Sequence, residues 1–307
     1  MRNTVVNYLC EQADNGEDIH VLTADLGFVL FDNFRKKHPD KFTNVGVAEA
    51  NMIGLAAGMA MSGKRVYCYS MIPFLIFRTL DQIRTDLCAM RLPVTLIGVG
   101  CGFTYGFEGM THHAIEDIAV TRALPNITVL SPCDPFECSA LLRQASKIQG
   151  PVFFRLGGNG DQLVYPDTTS IVPELGKMAC LQNKGDAAII ATGRMVAISR
   201  QAIDVLKSKK IDCRLYSLHS IKPLDESALS LISKQCKTIV SVEEHSVIGG
   251  IGTAVADALL FYRYQGIFRK IGISDRYETV LGTGDWLRQQ HNFTPGFISK
   301  VIEESIE

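Results

Sequence analysis

Short apolar runs with strand character alternate with helix-periodic segments along nearly the whole chain, and this alternation restricts the fold more than any other feature. It is typical of βα units that build a mainly parallel sheet. In the first half the predicted strands are residues 19–24, 65–70, 94–99, 127–131 and 152–155. The predicted helices between them are residues 4–13, 48–62, 75–90, 113–123 and 135–149.

The alternation is interrupted in a segment rich in turn-forming residues. Gly157-Gly158-Asn159-Gly160 and Tyr165-Pro166-Asp167-Thr168-Thr169 predict a loop or linker within residues 157–175. Beyond it the predicted strands are residues 187–191, 213–217, 238–242 and 268–273, and the predicted helices are residues 195–208, 224–234 and 253–264. We therefore expect an α/β protein with two parallel-sheet domains, residues 1–165 and 166–307.

The charge balance excludes some classes of function. Among the 307 residues, 31 Lys and Arg stand against 32 Asp and Glu, which gives a net charge of -1. Such a chain has no broad basic surface for nucleic acid or an anionic membrane. A small anion site made of one or two arginines remains compatible with this balance.

Neither a membrane segment nor a metal site is indicated. We find no N-terminal secretion signal, and no apolar stretch reaches the ~20 residues that span a bilayer. The nine cysteines are scattered and lack the spacing of metal ligands. These features predict a reduced, cytoplasmic protein that supplies no metal ligands of its own.

One carboxylate has an unusual sequence environment. Glu49 begins a predicted helix made almost wholly of small and apolar residues. A helix so uniformly apolar is buried or lies at a subunit interface. A carboxylate there is paired, neutralised or functional. The alternative is an ordinary acidic residue favoured by the helix macrodipole, and the residues alone leave both interpretations open.

A polar loop follows the predicted strand at residues 94–99, at the sheet edge where α/β proteins bind ligands. It contains Glu108 and the adjacent His112 and His113, which offer acid–base and hydrogen-bonding groups. Adjacent histidines rarely reach one ion together and no third ligand is in register, so a metal site is not favoured. Helix capping by Thr111 explains part of the pattern without any function.

Two further features have both a structural and a functional interpretation. Phe74 and Phe77 have the spacing of core residues but also suit stacking on a flat heteroaromatic ring. Gly249-Gly250-Ile251-Gly252 opens a predicted helix in the manner of a phosphate loop. The preceding Glu243 and Glu244 would repel phosphate, so close packing of helix on sheet is favoured.

Taken in order, these segments resemble the second half of transketolase over nearly the whole chain. In the first domain the matching segments are Thr23-Ala24-Asp25-Leu26, Gly46-Val47-Ala48-Glu49-Ala50-Asn51-Met52, Phe74-Leu75-Ile76-Phe77 and Gly109-Met110-Thr111-His112. In the second domain they are Lys222-Pro223-Leu224-Asp225, Val242-Glu243-Glu244-His245-Ser246 and the glycine segment at residues 249–252. The resemblance implies a pyrimidine-binding domain followed by a transketolase C-terminal domain.

The resemblance implies the cofactor thiamine diphosphate and the transfer of a two-carbon ketol unit from a ketose donor to an aldose acceptor. Transketolases also have a domain whose Gly-Asp-Gly…Asn motif holds Mg²⁺ and the diphosphate, and this sequence contains no such segment. We therefore expect a separate subunit to supply that domain and the Mg²⁺ ligands. The active form would be a heterotetramer with two copies of each chain.

The same resemblance implies the cofactor contacts. Glu49 would hydrogen-bond the ring nitrogen N1′ of the aminopyrimidine, so that the exocyclic nitrogen can take the C2 proton. Phe77, with Phe74 beside it, would stack on the pyrimidine. Asp25 would lie near the cofactor at the subunit interface.

Substrate contacts are implied in the same way. His112 would hydrogen-bond the donor sugar near its C1 hydroxyl and carbonyl. Glu108 stands where the family usually has Asp and would contact a sugar hydroxyl. Arg155 and Arg2 would bind the substrate phosphate, an anion that suits the guanidinium group.

Two positions depart from the family pattern at the phosphate. Gly100 stands where the family usually has a phosphate-binding histidine, and Val29 where it has a serine. We therefore expect a nonstandard acceptor, either a modified sugar or one with a different anionic group.

Two other classes of protein stay open. The beta subunit of a 2-oxo acid dehydrogenase shares this two-domain plan and would feed a lipoyl carrier. A non-catalytic relative would act as a scaffold or regulator. The loop ending at His112 and the guanidinium of Arg155 favour the transferase because they suit polyhydroxylated, anionic sugars. Retention of Glu49 argues against a scaffold.

Overall fold

The computed structural model describes residues 1–158, 160–165 and 170–306. Within these ranges the chain forms two mainly parallel sheets flanked by helices, which confirms the predicted α/β class. The predicted domain boundary, between residues 165 and 166, borders residues 166–169, which lie outside the described residues. None of the helices in the described ranges is long and apolar enough to cross a membrane.

Most of the strands coincide with the predicted apolar runs. In chain order they are β1 (Ile19–Thr23), β2 (Phe42–Asn44), β3 (Arg65–Met71), β4 (Val94–Val99), β5 (Thr128–Leu130), β6 (Val152–Leu156), β7 (Ala179–Gln182), β8 (Ala187–Ala191), β9 (Cys213–Ser217), β10 (Ser220–Lys222), β11 (Thr238–Ser246) and β12 (Ile267–Ile273). The sequence did not predict β2, β7 or β10, which are short and lie at sheet edges.

The helices flank these strands. In chain order they are α1 (Arg2–Asp14), α2 (Asp32–Lys37), α3 (Glu49–Met61), α4 (Leu80–Gln82), α5 (Asp117–Ala123), α6 (Pro135–Ala145), α7 (Met195–Ser208), α8 (Glu226–Gln235), α9 (Ile251–Phe261), α10 (Gly284–Gln290) and α11 (Pro295–Ile306). Helix α5 begins at Asp117 rather than at residue 113, so both histidines of the polar loop precede it.

One strand from beyond the predicted boundary joins the first sheet. The first sheet has the order β10-β5-β6-β4-β3-β1-β2, and the second has the order β12-β11-β8-β9-β7. Every pair is parallel except β10 with β5 and β7 with β9. Because β10 comes from the second half of the chain, that half completes the edge of the first sheet.

The predicted helix at residues 75–90 is wrong as a continuous α-helix. The chain instead forms π-helical turns at Pro73–Phe77 and Ile83–Cys88, with the short α4 between them. Thr79 interrupts the helix because its backbone has φ -116, and its buried hydroxyl donates to the Leu75 carbonyl at 2.5 Å. Such π-helical turns are rare and are frequently found at functional sites.

Helix α3 is apolar because it packs closely against β3. One face is in the core, where Met52, Ile53 and Ala56 are fully buried. On the same helix, a Cβ added to Gly54 or Gly58 would meet no other atom within 4 Å. The helix therefore joins a packed face to an open face of small residues.

A buried arginine that is ion-paired within the first domain also contacts the second. Arg155, near the end of β6, is 2 % exposed, and its Nε donates to Asp117 Oδ2 at 2.8 Å. Its Nη2 donates to the carbonyls of Ala114 and Glu244, each at 3.0 Å. Burial disfavours the charged guanidinium, but Asp117 beside it outweighs this and raises the pKa of Arg155 overall. Because Glu244 lies on β11, this one side chain connects the first sheet, α5 and the second sheet.

The side chain of Glu244 holds the loop that follows β4. Its Oε1 accepts hydrogen bonds from the Phe103 amide at 2.8 Å and from Arg288 Nε at 2.9 Å. Gly102 has φ +58, and a Cβ there would lie 2.3 Å from the Glu244 carboxyl carbon. The loop can therefore approach the second domain only because this residue is glycine.

The carboxylate of Glu243 bonds the amides of the glycine segment before α9, where a bound anion would lie. Glu243 accepts hydrogen bonds from the amides of Ile251 at 2.7 Å and Gly252 at 2.8 Å. A Cβ on Gly250 would lie 2.0 Å from a Glu243 carboxylate oxygen. Burial raises the pKa of Glu243 to about 7. These contacts support close packing over phosphate binding, because the amides that would hold an anion already have a partner.

We predict that Asp117→Asn lowers the free energy of unfolding by about 3–5 kcal/mol, because it leaves a buried guanidinium without a counter-charge. The measurement is equilibrium urea unfolding at neutral pH. The matched control is Glu11→Gln, which breaks the exposed pair of Glu11 with Arg143, at 2.8 and 2.7 Å. An exposed pair contributes little, so this variant should unfold like the parent. Equal losses of unfolding free energy in both variants would contradict the conclusion that the buried pair of Arg155 with Asp117 stabilises the fold.

Candidate active site

The candidate site lies at the carboxyl ends of β1, β3 and β4, where parallel sheets bind ligands. These strands are neighbours in the first sheet, so the segments that follow them meet at one edge. Three segments contribute: the start of α3, which follows the neighbouring edge strand β2, the π-helical turn Pro73–Phe77 after β3, and the loop at residues 100–116 after β4.

Glu49 is the first residue of α3 and is only 2 % exposed. Its Oε2 accepts a hydrogen bond of 2.6 Å from Arg78 Nη1. The Arg78 side chain is 46 % exposed, so a buried carboxylate is covered by a cation that reaches solvent. The amino end of α3 also favours negative charge at this position.

The Phe74 ring extends this contact to His112. Arg78 Cζ lies 4.6 Å from the centroid of the Phe74 ring. The centroid of the His112 ring lies 5.1 Å from the same point, in an edge-to-face arrangement. The sequence-predicted residues Glu49, Phe74 and His112 are therefore brought together, with Arg78 between the first two. Phe77, at the end of the same turn, is 36 % exposed.

The two adjacent histidines have different environments. His112 is partly exposed, and its Nδ1 lies 3.0 Å from Thr111 Oγ1. His113 is buried edge-on against Phe103, and burial lowers the pKa of His113. Phe103 in turn stacks on His291 of the second domain, with centroids 4.8 Å apart. His112 therefore belongs to the site, whereas His113 fixes the loop to the second domain.

Glu108 and Asp25 lie on loops at the same sheet edge. Glu108 ends a short 3-10 turn and is exposed, and the next residue, Gly109, has φ +75 and reverses the chain. Asp25 follows β1 with φ +53, and its amide donates to Asn44 Oδ1 at 2.9 Å. In the described part of the chain neither carboxylate hydrogen-bonds Glu49 or His112.

A polar cavity of about 320 Å³ opens beside the loop after β4. Arg2 of α1 lines it together with Arg194 and Arg288 of the second domain. The other lining residues are Thr104, Tyr105, Gly158, Thr283, Gly284 and Asp285. Three guanidinium groups and one carboxylate therefore line this space, which has the charge to hold an anion.

Two of these arginines are anchored by carboxylates. Arg194 Nη2 lies 3.5 Å from Asp161 Oδ1, and Arg288 Nη1 lies 2.6 Å from Asp285 Oδ1. The Asp161 carboxylate also accepts a hydrogen bond of 3.0 Å from the amino group of Met1. This contact ties the start of α1, and with it Arg2, to the cavity wall.

Arg155 does not join this cavity, and the expectation that it binds a substrate phosphate is not supported by its placement. Its side chain is 1 % exposed and paired with Asp117. The physical reason is that β6 ends inside the contact between the domains, where an anion from solvent cannot reach the guanidinium.

Arg78, Arg194 and Arg288 are functional candidates that the sequence did not reveal. Arg78 follows Phe77 directly, and an arginine next to two phenylalanines is a weak signal for stacking. Arg194 and Arg288 come from another domain, so no local pattern indicates that they line the cavity. In the described ranges no group of three or more His, Cys, Asp or Glu residues could hold a metal ion.

The arrangement fits a planar heteroaromatic ring. The buried Glu49 carboxylate can bond a ring nitrogen, and the faces of Phe74 and Phe77 can stack on the ring. His112 and Glu108 lie at the same edge and can contact polar groups of a second molecule. The site thus has the parts for one flat group and one polar substrate.

Comparison with known proteins identifies the family. Residues 1–158 match the transketolase pyrimidine-binding domain, and residues 176–282 match the transketolase C-terminal domain. An apulose-4-phosphate transketolase subunit of Actinobacillus succinogenes is 33 % identical, over 95 % of this chain and 93 % of that protein. The 6-deoxy-6-sulfo-D-fructose transketolase subunit SqwH of Clostridium sp. is 33 % identical, over 100 % of this chain and 94 % of that protein.

A solved structure agrees with these relatives. It is described as a split gene transketolase in an inactive beta4 tetramer, and it is 31 % identical to this chain. The two superpose with a TM-score of 0.90, over 99 % of this chain and 97 % of the other. The chain belongs to the transketolase family and matches its pyrimidine-binding and C-terminal domains in that order.

Proposed function

We propose that this chain is the pyrimidine-binding and C-terminal subunit of a split, thiamine-diphosphate-dependent transketolase. The enzyme transfers a two-carbon ketol unit from a ketose donor to an aldose acceptor. The observation that carries the proposal is the buried Glu49 carboxylate beside Phe74 and His112. The domains are assigned as residues 1–165 and 166–307, and the protein as cytoplasmic.

The chain's own residues fit the pyrimidine half of the cofactor. Glu49 accepts or shares the proton at ring nitrogen N1′, and its burial excludes water from that contact. Phe74 and Phe77 hold the ring face, and Asp25 lies on the adjoining loop. When bound, thiamine diphosphate supplies the electron sink for cleavage and formation of the carbon–carbon bond.

The sugar contacts come from the loop after β4. His112 has a partly exposed ring at the site and is available to hydrogen-bond the donor sugar near its carbonyl. Glu108, on the same loop, contacts a sugar hydroxyl. A misplacement of about 1 Å can change such rates a hundredfold, so the longer side chain of Glu in place of Asp affects the choice of sugar.

The acidic end of the acceptor is assigned to the cavity lined by Arg2, Arg194 and Arg288. Arginine is the side chain best suited to a phosphate or sulfonate because its planar fork can donate two hydrogen bonds to one anion. Two relatives are named for a sugar phosphate and a sulfonated sugar. A fructose derivative is a ketose and would be a donor, so these names support an anionic group on the substrate. Gly100 and Val29 support an acceptor other than a common sugar phosphate.

A second subunit completes the active site. It supplies the domain that binds the diphosphate, including the ligands of Mg²⁺, and two copies of each chain form a heterotetramer. The open face of α3 at Gly54 and Gly58 is suited to close contact with another chain. The related split transketolase is described as inactive when it is a tetramer of beta chains, which supports a dependence on the partner.

We predict that thiamine diphosphate with Mg²⁺ binds only to a mixture of this chain and the partner subunit, measured by titration calorimetry. Glu49→Gln should weaken binding at least tenfold, since a charged hydrogen bond is worth about 1.5–3 kcal/mol. Glu11→Gln, an exposed Glu far from the site, is the matched control. Binding by this chain alone would refute the split architecture. Turnover of pyruvate or branched 2-oxo acids with lipoamide would assign the chain to the 2-oxo acid dehydrogenases instead.

A further prediction concerns the arginine cavity. Arg194→Gln should raise KM for an anionic acceptor about 10- to 100-fold, the effect of losing one charge-assisted hydrogen bond, and leave KM for its neutral analogue unchanged. The control is Arg269→Gln, an exposed arginine on β12 outside this cavity. An equal rise in KM for charged and neutral acceptors would show that the cavity does not bind the anionic group of the substrate. Efficient turnover of ribose 5-phosphate would contradict a nonstandard acceptor.

A further inference from the structure

Arg78 makes two contacts that together resemble the contacts of a bound ring. Its Nη1 donates a hydrogen bond of 2.6 Å to Glu49, and its guanidinium carbon lies 4.6 Å from the centre of the Phe74 ring. A guanidinium is flat and carries hydrogen-bond donors on its edge, so it can stack and donate at the same time. Glu49 and Phe74 are the same two residues that the proposed function assigns to the aminopyrimidine.

Arg78 and a bound ring cannot both contact Glu49 and Phe74 at the same time. Glu49 is 2 % exposed, so the site admits little beyond the group that already covers its carboxylate. A second flat group that reached Glu49 along the face of Phe74 would collide with the Arg78 guanidinium. The ring and the guanidinium therefore compete for one place.

The pair also compensates the buried negative charge of Glu49 in the subunit without cofactor. A buried carboxylate without a partner is strongly destabilising, whereas a paired one is tolerated. In the described part of the chain Arg78 is the cation paired with Glu49. The pair thus stabilises the buried Glu49 carboxylate until the ligand of Glu49 binds.

Arg78 can leave this place without disturbing the core. Its side chain is 46 % exposed, and its hydrogen bond to Glu49 uses one nitrogen rather than the two of a bidentate pair. It directly follows the π-helical turn Pro73–Phe77 and precedes the helix interruption at Thr79. Movement of the guanidinium into solvent breaks no buried packing.

We propose that Arg78 is a placeholder in the cofactor site: its guanidinium occupies the pyrimidine position in the free subunit and is displaced when the ring binds. The inference rests on the proposed function, because it takes the ring to be the aminopyrimidine of thiamine diphosphate. Arg78 is a positioning residue, since it acts by holding Glu49 and Phe74 in the geometry that the ring then uses.

The first test measures the pair in the free chain, with no cofactor or partner. Arg78→Gln should lower the melting temperature by about 2–4 °C or more, because Glu49 loses its counter-charge. In a chain that already carries Glu49→Gln, Arg78→Gln should leave the melting temperature unchanged. Arg84→Gln is the matched control, because Arg84 is an exposed arginine on the next π-helical turn. Equal effects of Arg78→Gln in both backgrounds would show that the pair does not hold Glu49.

The second test measures cofactor binding by calorimetry in the complex with the partner subunit. Because the competing guanidinium is gone, Arg78→Gln should bind thiamine diphosphate about tenfold more tightly than the parent, with Arg84→Gln unchanged. Weaker binding by Arg78→Gln would make Arg78 a cofactor ligand and overturn the proposal, and unchanged binding would overturn it as well. Absence of cofactor binding by the parent complex would instead refute the proposed function, and the melting experiment distinguishes the two failures.

Discussion

The ion pair of Arg155 with Asp117 is the interaction on which the arrangement of the site depends. It lies where the first sheet, α5 and β11 meet, and its Nη2 also bonds the carbonyls of Ala114 and Glu244. The side chain of Glu244 then holds the amide of Phe103, in the loop that contains His112. A buried charge pair has strict geometry, so the loop after β4 has a fixed position relative to both domains.

The site is built from a buried acid and an aromatic surface at the edge of a parallel sheet. Glu49 gains its burial from α3, which packs against β3 on one face and leaves small residues on the other. Phe74 and Arg78 come from a helix that is broken by π-helical turns. This segment brings a flat cation and an aromatic ring to the carboxylate.

Prediction from sequence succeeded for strands and helices whose own residues form a clear hydrophobic pattern. Strands β4 and β8 are almost wholly apolar because both faces of the sheet are covered, and their bounds coincide with the prediction. The bounds of β9 also coincide with the prediction, although this strand contains Arg214. The apolar composition of α3 likewise indicated a buried helix, whereas the residues alone left the role of Glu49 at its start open. The short edge strands β2, β7 and β10 have no such run. The role of Arg155 and the cavity arginines depends on partners far away in the chain, so no local pattern specifies them.

A structure of the complex with the partner subunit and thiamine diphosphate tests the central claim most directly. The account predicts a Glu49 carboxylate oxygen within about 2.7–3.2 Å of N1′ of the pyrimidine. It also predicts that the Arg78 guanidinium no longer contacts Glu49 or Phe74. A pyrimidine bound elsewhere, with the pair of Glu49 and Arg78 intact, would contradict both the assignment of the site and the role of Arg78.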